Sequence, residues 1–280
     1  MSALIPGKPA LIEPGVRRVL GLNPGMMTGP GTNSYLVGDN ELTVIDPGPA
    51  DPRHADNLQA AAEQLGAPIR RVLVTHTHRD HSPGASVLAE RLDLELLGPE
   101  VPDDGLQDEH WRADRILGDG DRVRLDDRTV RAIATPGHVG NHLCFLLEDS
   151  GLLFTGDHLI HGSTVVIAPP SGSMKDYLAS LRRLLDEDIH CMAPGHGELI
   201  QEPEAALNWT IEHRLERERK VLDALRQRPD SVAQDLVEPV YVDVPDYLHT
   251  VATLSLEAHL IKLYEEGRAE RRDGRYQALE

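Results

Sequence analysis

Cysteine is nearly absent: Cys144 and Cys191 are the only two in 280 residues, too few for a disulfide framework. Aromatic residues make up 4% of the chain, which argues against a protein that grips single-stranded nucleic acid by stacking rings on bases. Long apolar runs are missing as well. Stretches such as 151–155 and 159–160 fall far short of the roughly 20 residues needed to cross a bilayer, so no membrane partner is expected. The first residues, Met1 to Gly7, show no basic segment followed by an apolar one, so no secretory leader is expected. Positive charge is also scarce. The formal net charge is −18, and the average surface therefore offers no attraction to a polyanion. With 40% apolar and 26% charged residues, the chain reads as an ordinary globular protein, and a cytoplasmic location is expected.

Periodicity divides the chain in two. Alternating apolar positions and Gly/Pro/Asn turns predict strands at 16–21, 34–37 and 42–45, with a loop at 23–31 that could cover a site. Leu58, Ala61, Ala62 and Leu65 predict a helix over 51–66. A buried-type strand follows at 71–74 and a helix at 85–92. Strands are predicted near 123–125, 130–134, 143–147 and 152–154, then a helix at 174–185 and a strand at 189–193. This alternation predicts a layered α/β domain over residues 1–202. Residues 203–280 differ. A long charged helix over 203–228 is expected to turn Ala206, Leu207, Ile211, Leu215, Val221, Leu222 and Leu225 inward. Helices at 231–237 and 250–266 and a hairpin turned at Asp273-Gly274 complete a small, mainly helical, winged-helix-like domain. That tail is expected to shape a substrate entrance or to form a dimer face of a homo-oligomer.

The chemistry concentrates in Thr75-His76-Thr77-His78-Arg79-Asp80-His81, directly after a predicted strand. His76 and His78 are two apart, so in extended chain they project to one side and can clamp an ion. Asp80 and His81 lie where the chain turns into a helix and can face a second ion. Three further strand ends each deliver one donor after a glycine: His138 in Thr135-Pro136-Gly137-His138, Asp157 in Thr155-Gly156-Asp157, and His196 in Pro194-Gly195-His196-Gly197. Glycine there lets the backbone turn sharply and approach a metal. Imidazole and carboxylate suit zinc, manganese or iron.

These motifs, in this order, resemble the metallo-β-lactamase superfamily over about residues 15–200. The resemblance implies an αββα sandwich. It also implies that His76, His78 and His138 bind one divalent ion, that Asp80, His81 and His196 bind a second, and that Asp157 bridges them. All seven positions carry the matching residue type, which favours a catalytic member. Two divalent ions, two aspartates and a bridging hydroxide leave about one net positive charge, which draws the pKa of bound water towards roughly 7. The same charge stabilises an oxyanion or phosphorane-like transition state. A dinuclear hydrolase working through a metal-bound hydroxide is thus expected, with zinc as the leading ion and Asp80, Asp157 and His196 around the reacting atoms. Asp46 is expected to orient a ligating histidine, and His142 to stand near the metals. His158 and His161 are candidates for the entrance rim, and both cysteines are expected to be inert packing.

Finer features resemble the beta-lactamase-like protein two subgroup: residues 31–37 and 162–166, Asp176-Tyr177-Leu178, and His213-Arg214. That subgroup joins the metallo domain to a winged-helix-like tail. Two substrates follow. A small ester, thioester or other acyl compound suits the acidic surface. A single-stranded RNA is the alternative, implied by the subgroup and by Arg268, Arg271, Arg272 and Arg275, although interleaved acids favour a solvated hairpin edge. His213 and Arg214 are expected on the charged surface of the long helix or at the pocket rim. A secreted β-lactamase is disfavoured by Asp157, a persulfide dioxygenase by the complete ligand set, and a non-catalytic metal-stabilised protein is the weakest reading.

Overall fold

The computed structural model describes residues 4–105 and 107–279. The chain folds into two compact units. The first holds the described residues through Thr135, together with Asn141–Ser163 and Asp188–Pro203. The second holds Pro136–Gly140, Thr164–Glu187 and the residues from Glu204 onward.

In the first unit, β1 (Pro9–Glu13), β2 (Val16–Leu20), β3 (Asn33–Val37), β4 (Leu42–Ile45), β5 (Ile69–Leu73), β6 (Glu95–Gly98) and β7 (Arg115–Ile116) form a seven-stranded sheet in sequence order. Its first half is antiparallel, and β4, β5, β6 and β7 run parallel. A second sheet has the order β12-β11-β10-β9-β8, from β8 (Arg122–Leu125), β9 (Arg128–Ala134), β10 (Leu143–Leu147), β11 (Leu152–Gly156) and β12 (Cys191–Pro194). Side chains alternate across a strand, and the two cores follow that alternation. Tyr35, Val37, Ile45 and Leu73 join Leu125, Ala132, Phe145 and Phe154 between the sheets. Leu36, Val44 and Val72 point the other way, onto α1 (Pro52–Leu65) and α2 (Gly84–Ala89), where Leu58, Ala61 and Leu88 cover them. The start of α1 is locally encoded: Pro52 opens it, the Asp51 carboxylate accepts from the Arg53 amide, and Gly66 closes it in the left-handed region.

The second unit contains α3 (Met174–Leu184), capped by the Ser173 hydroxyl accepting from the Asp176 amide, and then α4 (Pro203–Gln227), α5 (Ala233–Val240) and α6 (His249–Glu265). A hairpin of β13 (Ala269–Arg272) and β14 (Arg275–Ala278) follows. Its turn is Asp273-Gly274, both at positive φ (49° and 77°), the pairing that a tight hairpin favours. Val221, Leu225, Leu236, Val240, Leu256, Leu260 and Tyr276 form its core.

Two features depart from expectation. Strands β1, β6 and β7 lie outside the predicted elements. The inward face of α4 is also rotated: Ile211 and Leu215 are only half-buried, whereas Arg214, Arg217 and Glu218 are buried. Arg214 is therefore neither charged helix surface nor rim, while His213 is half-buried and its ring stacks on exposed Trp209. Arg217 is satisfied by the Asp243 carboxylate at 2.8 and 2.9 Å, and Glu218 accepts from Lys262 at 2.6 Å. Pairing of this kind is what allows charge inside a helix bundle.

Candidate metal centre

The site grows from the ends of β4, β5, β11 and β12. At the end of β4 the backbone turns at Asp46, a non-glycine residue at φ 51°, and its amide donates to the Leu73 carbonyl at 2.9 Å. The buried Asp46 carboxylate then accepts from the Thr75 amide (2.8 Å), the Thr75 hydroxyl (2.8 Å) and His81 Nδ1 (2.9 Å). Because Nδ1 of His81 is the donor, its Nε2 is the nitrogen presented to the centre. The Asp46 carboxylate thus holds the His81 ring through Nδ1.

The loop after β5 is fixed from below. The amides of His81 and Ser82 donate to the His78 carbonyl at 3.0 and 3.2 Å, and the Gly48 amide donates to that of His81 at 3.0 Å. Within the loop, His76 Nε2 and His78 Nδ1 converge to 3.0 Å. Burial, followed by the neighbouring rings of His81, His78 and His142, holds His76 well below the usual imidazole range. It is a neutral, donor-ready ring.

Asp80, His81, Asp157 and His196 converge in the same unit. One ligating atom from each lies within 4.8 Å of the others. His196 Nε2 is 3.2 Å from Asp80 Oδ2 and 3.2 Å from Asp157 Oδ1, and His81 Nε2 is 3.6 and 3.4 Å from the same two oxygens. Both Nε2 atoms are buried and make no hydrogen bond. Burial alone would depress these two imidazoles. The carboxylates of Asp80, Asp157 and Asp46 outweigh it for His81 and hold it well above its ordinary value. Asp157 and Asp80 likewise push His196 up to about 10. Burial would raise Asp157, but His196 and His81 draw it well below the carboxylate range. Two buried imidazoles and two half-buried carboxylates that converge, attract positive charge and leave imidazole nitrogens without hydrogen bonds fit a divalent cation.

His196 reaches this point because Gly195 precedes it. A Cβ at Gly195 would lie 2.6 Å from His81 Cε1 and 2.8 Å from Asp157 Oδ1, so only glycine fits. The Tyr35 hydroxyl and the Asn33 side-chain amide hold the Pro194 carbonyl at 2.7 and 2.9 Å. His142 accepts the Asp157 amide at Nε2 (3.2 Å), while its Nδ1 meets the Thr135 hydroxyl (2.9 Å). Its ring stacks on His76 with centroids 5.0 Å apart.

His138 belongs to the second unit, where its Nδ1 donates to the Val166 carbonyl at 2.7 Å. His158 is fully buried and so does not form a rim, whereas His161 is exposed. Burial pushes the Cys144 thiol up to about 12, and Cys191 is raised for the same reason, as suits inert packing. Thr75, Thr135 and the Val166 carbonyl were missed by sequence reasoning. Thr75 adjoins the histidine motif and could have been read as its anchor, but a backbone carbonyl leaves no signal in the sequence.

The arginine strip of the hairpin is neutralised within its own unit. Arg268 pairs with Glu218 and Glu266, Arg271 lies 3.9 Å from Glu257, Arg272 meets Glu270 at 3.0 Å, and Arg275 meets Asp230 at 3.2 Å.

The profile of the Metallo-beta-lactamase superfamily matches residues 27–196. This chain belongs to that superfamily. The profile of the Beta-lactamase associated winged helix domain matches residues 233–276, so the helices and hairpin of the tail form a winged-helix domain. A Beta-lactamase-like protein 2 homolog of Drosophila melanogaster is 33% identical over 284 residues, spanning 95% of this chain and 93% of that protein. An Atrochrysone carboxyl ACP thioesterase of Claviceps purpurea is 31% identical over 252 residues, spanning 88% and 77%. In fold, a metallo-beta-lactamase family protein from Thermus thermophilus superposes with a TM-score of 0.81 at 22% identity, covering 96% of this chain and 100% of that one. The chain is a hydrolase of the metallo-β-lactamase superfamily, with the sandwich fold and a candidate His/Asp metal site. Among the described residues, no helix is long and apolar enough to cross a membrane.

Proposed function

We propose that this chain hydrolyses a small ester, thioester or related acyl compound with two divalent cations, zinc being the ion that best suits the donors. The observation that carries the reading is the convergence of Asp80, His81, Asp157 and His196, two half-buried carboxylates and two buried imidazoles directed at one point. His76, His78 and His138 would hold one ion, and Asp80, His81 and His196 the other, with Asp157 shared. Bound there, such ions supply Lewis acidity, lowering the pKa of water and stabilising negative charge in an acyl-transfer transition state.

The protein's own groups divide the remaining work. Asp46 fixes His81 through Nδ1, and His142 fixes the backbone at Asp157. Asp80 has the more open carboxylate, 29% exposed against 13% for Asp157. Burial would raise its carboxyl, but His81 and His196 lower it, so the ionised group could take the proton that the attacking water loses and pass it to a departing alkoxide or thiolate. The thioesterase named among the relatives supports an acyl substrate, and the paired arginines of the hairpin weigh against RNA.

Elemental analysis of the purified chain, combined with assays on a thioester, a lactone, a β-lactam and single-stranded RNA, tests the proposal. Two ions per chain with acyl turnover support it. Metal-dependent RNA cleavage without acyl turnover overturns the substrate class, and no metal uptake overturns the centre.

A further inference from the structure

The loop that carries His138 is anchored within the second unit. The Pro136 carbonyl accepts from the Ser180 hydroxyl at 2.8 Å, and that of Gly137 from the Ser173 amide at 2.8 Å. Gly137 adopts φ 145°, and a Cβ there would sit 2.3 Å from the Tyr177 Cα, so the loop lies flat on the start of α3. The ring itself is oriented through Nδ1, which lies 2.7 Å from the Val166 carbonyl. A carbonyl can only accept, so Nδ1 carries the hydrogen and the neutral ring presents Nε2 as its lone-pair nitrogen.

Val166 is in turn pinned on both sides. Before it, the Val165 carbonyl accepts from the Arg214 guanidinium of α4. After it, the Ile167 amide donates to the Ser255 hydroxyl of α6 at 3.1 Å. Arg214 is only 3% exposed. Among the described residues it makes no ion pair with a carboxylate; it donates to that carbonyl and lies over the face of Tyr177 at 5.5 Å. A buried cation without a counter-charge is costly to folding, and an apolar side chain of the same length would pack there more cheaply. Ser255 is likewise a buried hydroxyl in an apolar helix face, 6% exposed.

We propose that Arg214 and Ser255 are positioning residues for His138: they clamp the Val165–Ile167 segment so that the Val166 carbonyl fixes the His138 tautomer and presents Nε2 to an ion. On this inference side chains of α4 and α6 fix the ring of His138 within the second unit. It rests on the reading above that His138 is a ligand.

The experiment uses the full chain as wild type, Arg214→Met, Ser255→Ala, their double variant, Arg214→Lys, and His138→Ala. Zinc stoichiometry and affinity are measured against a chromophoric chelator, and imidazole ¹⁵N shifts are recorded on the metal-free protein. His138→Ala should lose one of two ions. The double variant should weaken that same ion about 10- to 100-fold, the usual effect of losing an outer partner of a ligand, and leave the other unchanged. Arg214→Lys, which keeps a donor for the Val165 carbonyl, should restore most of the affinity. In the metal-free spectra His138 should be a fixed Nδ1–H tautomer in the wild type and a mixture in the double variant. If Arg214→Met does not fold, Ser255→Ala, which removes one hydroxyl, carries both readouts. Wild-type affinity for both ions and an unchanged His138 tautomer overturn the inference. If His138→Ala itself keeps both ions, the ligand reading fails and the inference fails with it. The ¹⁵N spectra still show whether the clamp sets the tautomer, which separates the two failures.

Discussion

Asp46 holds three donors with two oxygens, from a backbone conformation that L-residues seldom adopt. Replacing it with alanine leaves the Thr75 amide and His81 Nδ1 without this acceptor and leaves the Thr75 hydroxyl with His76 Nδ1 alone. Asp46→Ala should cost about 3–5 kcal/mol of stability, the range seen when one partner of a buried pair is removed, and about 10- to 100-fold in ion affinity. Denaturant titration and metal competition read the two effects separately. Unchanged ion affinity would show that His81 does not need this orientation. Gly195→Ala behaves differently. Its Cβ would collide with His81 and Asp157 rather than with the core, so turnover should fall by at least about 100-fold, as misplacement of about 1 Å at a site does, with a smaller loss of thermal stability. The seven candidate ligands were legible because short covalent spacing and preceding glycines mark them. Among the groups behind them, Asp46 and His142 were singled out in the sequence, but Thr75, which acts through a distant aspartate, and Val166, which acts through its backbone, were not.

Elements were legible where their period was long enough to count. Helix α1, with its Asp51 cap and closing Gly66, and the Asp273-Gly274 hairpin carry their instructions locally. Strand β7, of two residues, is too short for alternation to register, and β1 and β6 show no regular alternation in their burial. The α4 stripe misled because apolar spacing was counted alone, while Arg217 and Glu218 enter the interior with partners from Asp243 and Lys262, distant in sequence. Helix α1 also buries His54 against the Ser34 hydroxyl, Nε2 to Oγ at 2.8 Å. Burial pushes this ring down to about 4. It is neutral in the folded chain and protonated in the unfolded one between pH 6.5 and 4, so the unfolded state binds the extra proton and stability falls as pH drops through that window. The full effect is on the order of 3 kcal/mol. Urea titrations of wild type and His54→Gln at about pH 7 and about pH 4.5, on either side of most of that change, test it. Equal losses in both proteins would remove His54 as the cause.

On the scale of the whole molecule, a net charge of −18 and a hairpin whose arginines are paired predict no retention of single-stranded RNA at physiological salt. Filter binding checks this, and a salt-sensitive complex would reverse the preference for acyl substrates. The carboxylates at the centre, Asp46, Asp80 and Asp157, give metal loading a pH signature. Without metal, His81 and His196 are held protonated by Asp80 and Asp157, His196 up to about 10. A raised imidazole pKa contributes stability that is complete below its unfolded value near about 6.5 and is lost as pH rises through the folded value. Metal-free protein should therefore melt at progressively lower temperature from about pH 6.5 to about 10. Metal-loaded protein should not, because the ions take the place of those protons and add stabilisation that grows with ion concentration. Loading near about pH 7.5 should release about two protons per chain at this cluster, measurable by calorimetry in buffers of different ionisation enthalpy. Parallel melting curves with and without metal, and no proton release, would mean that the four side chains satisfy one another without cations, and the dinuclear reading would fall.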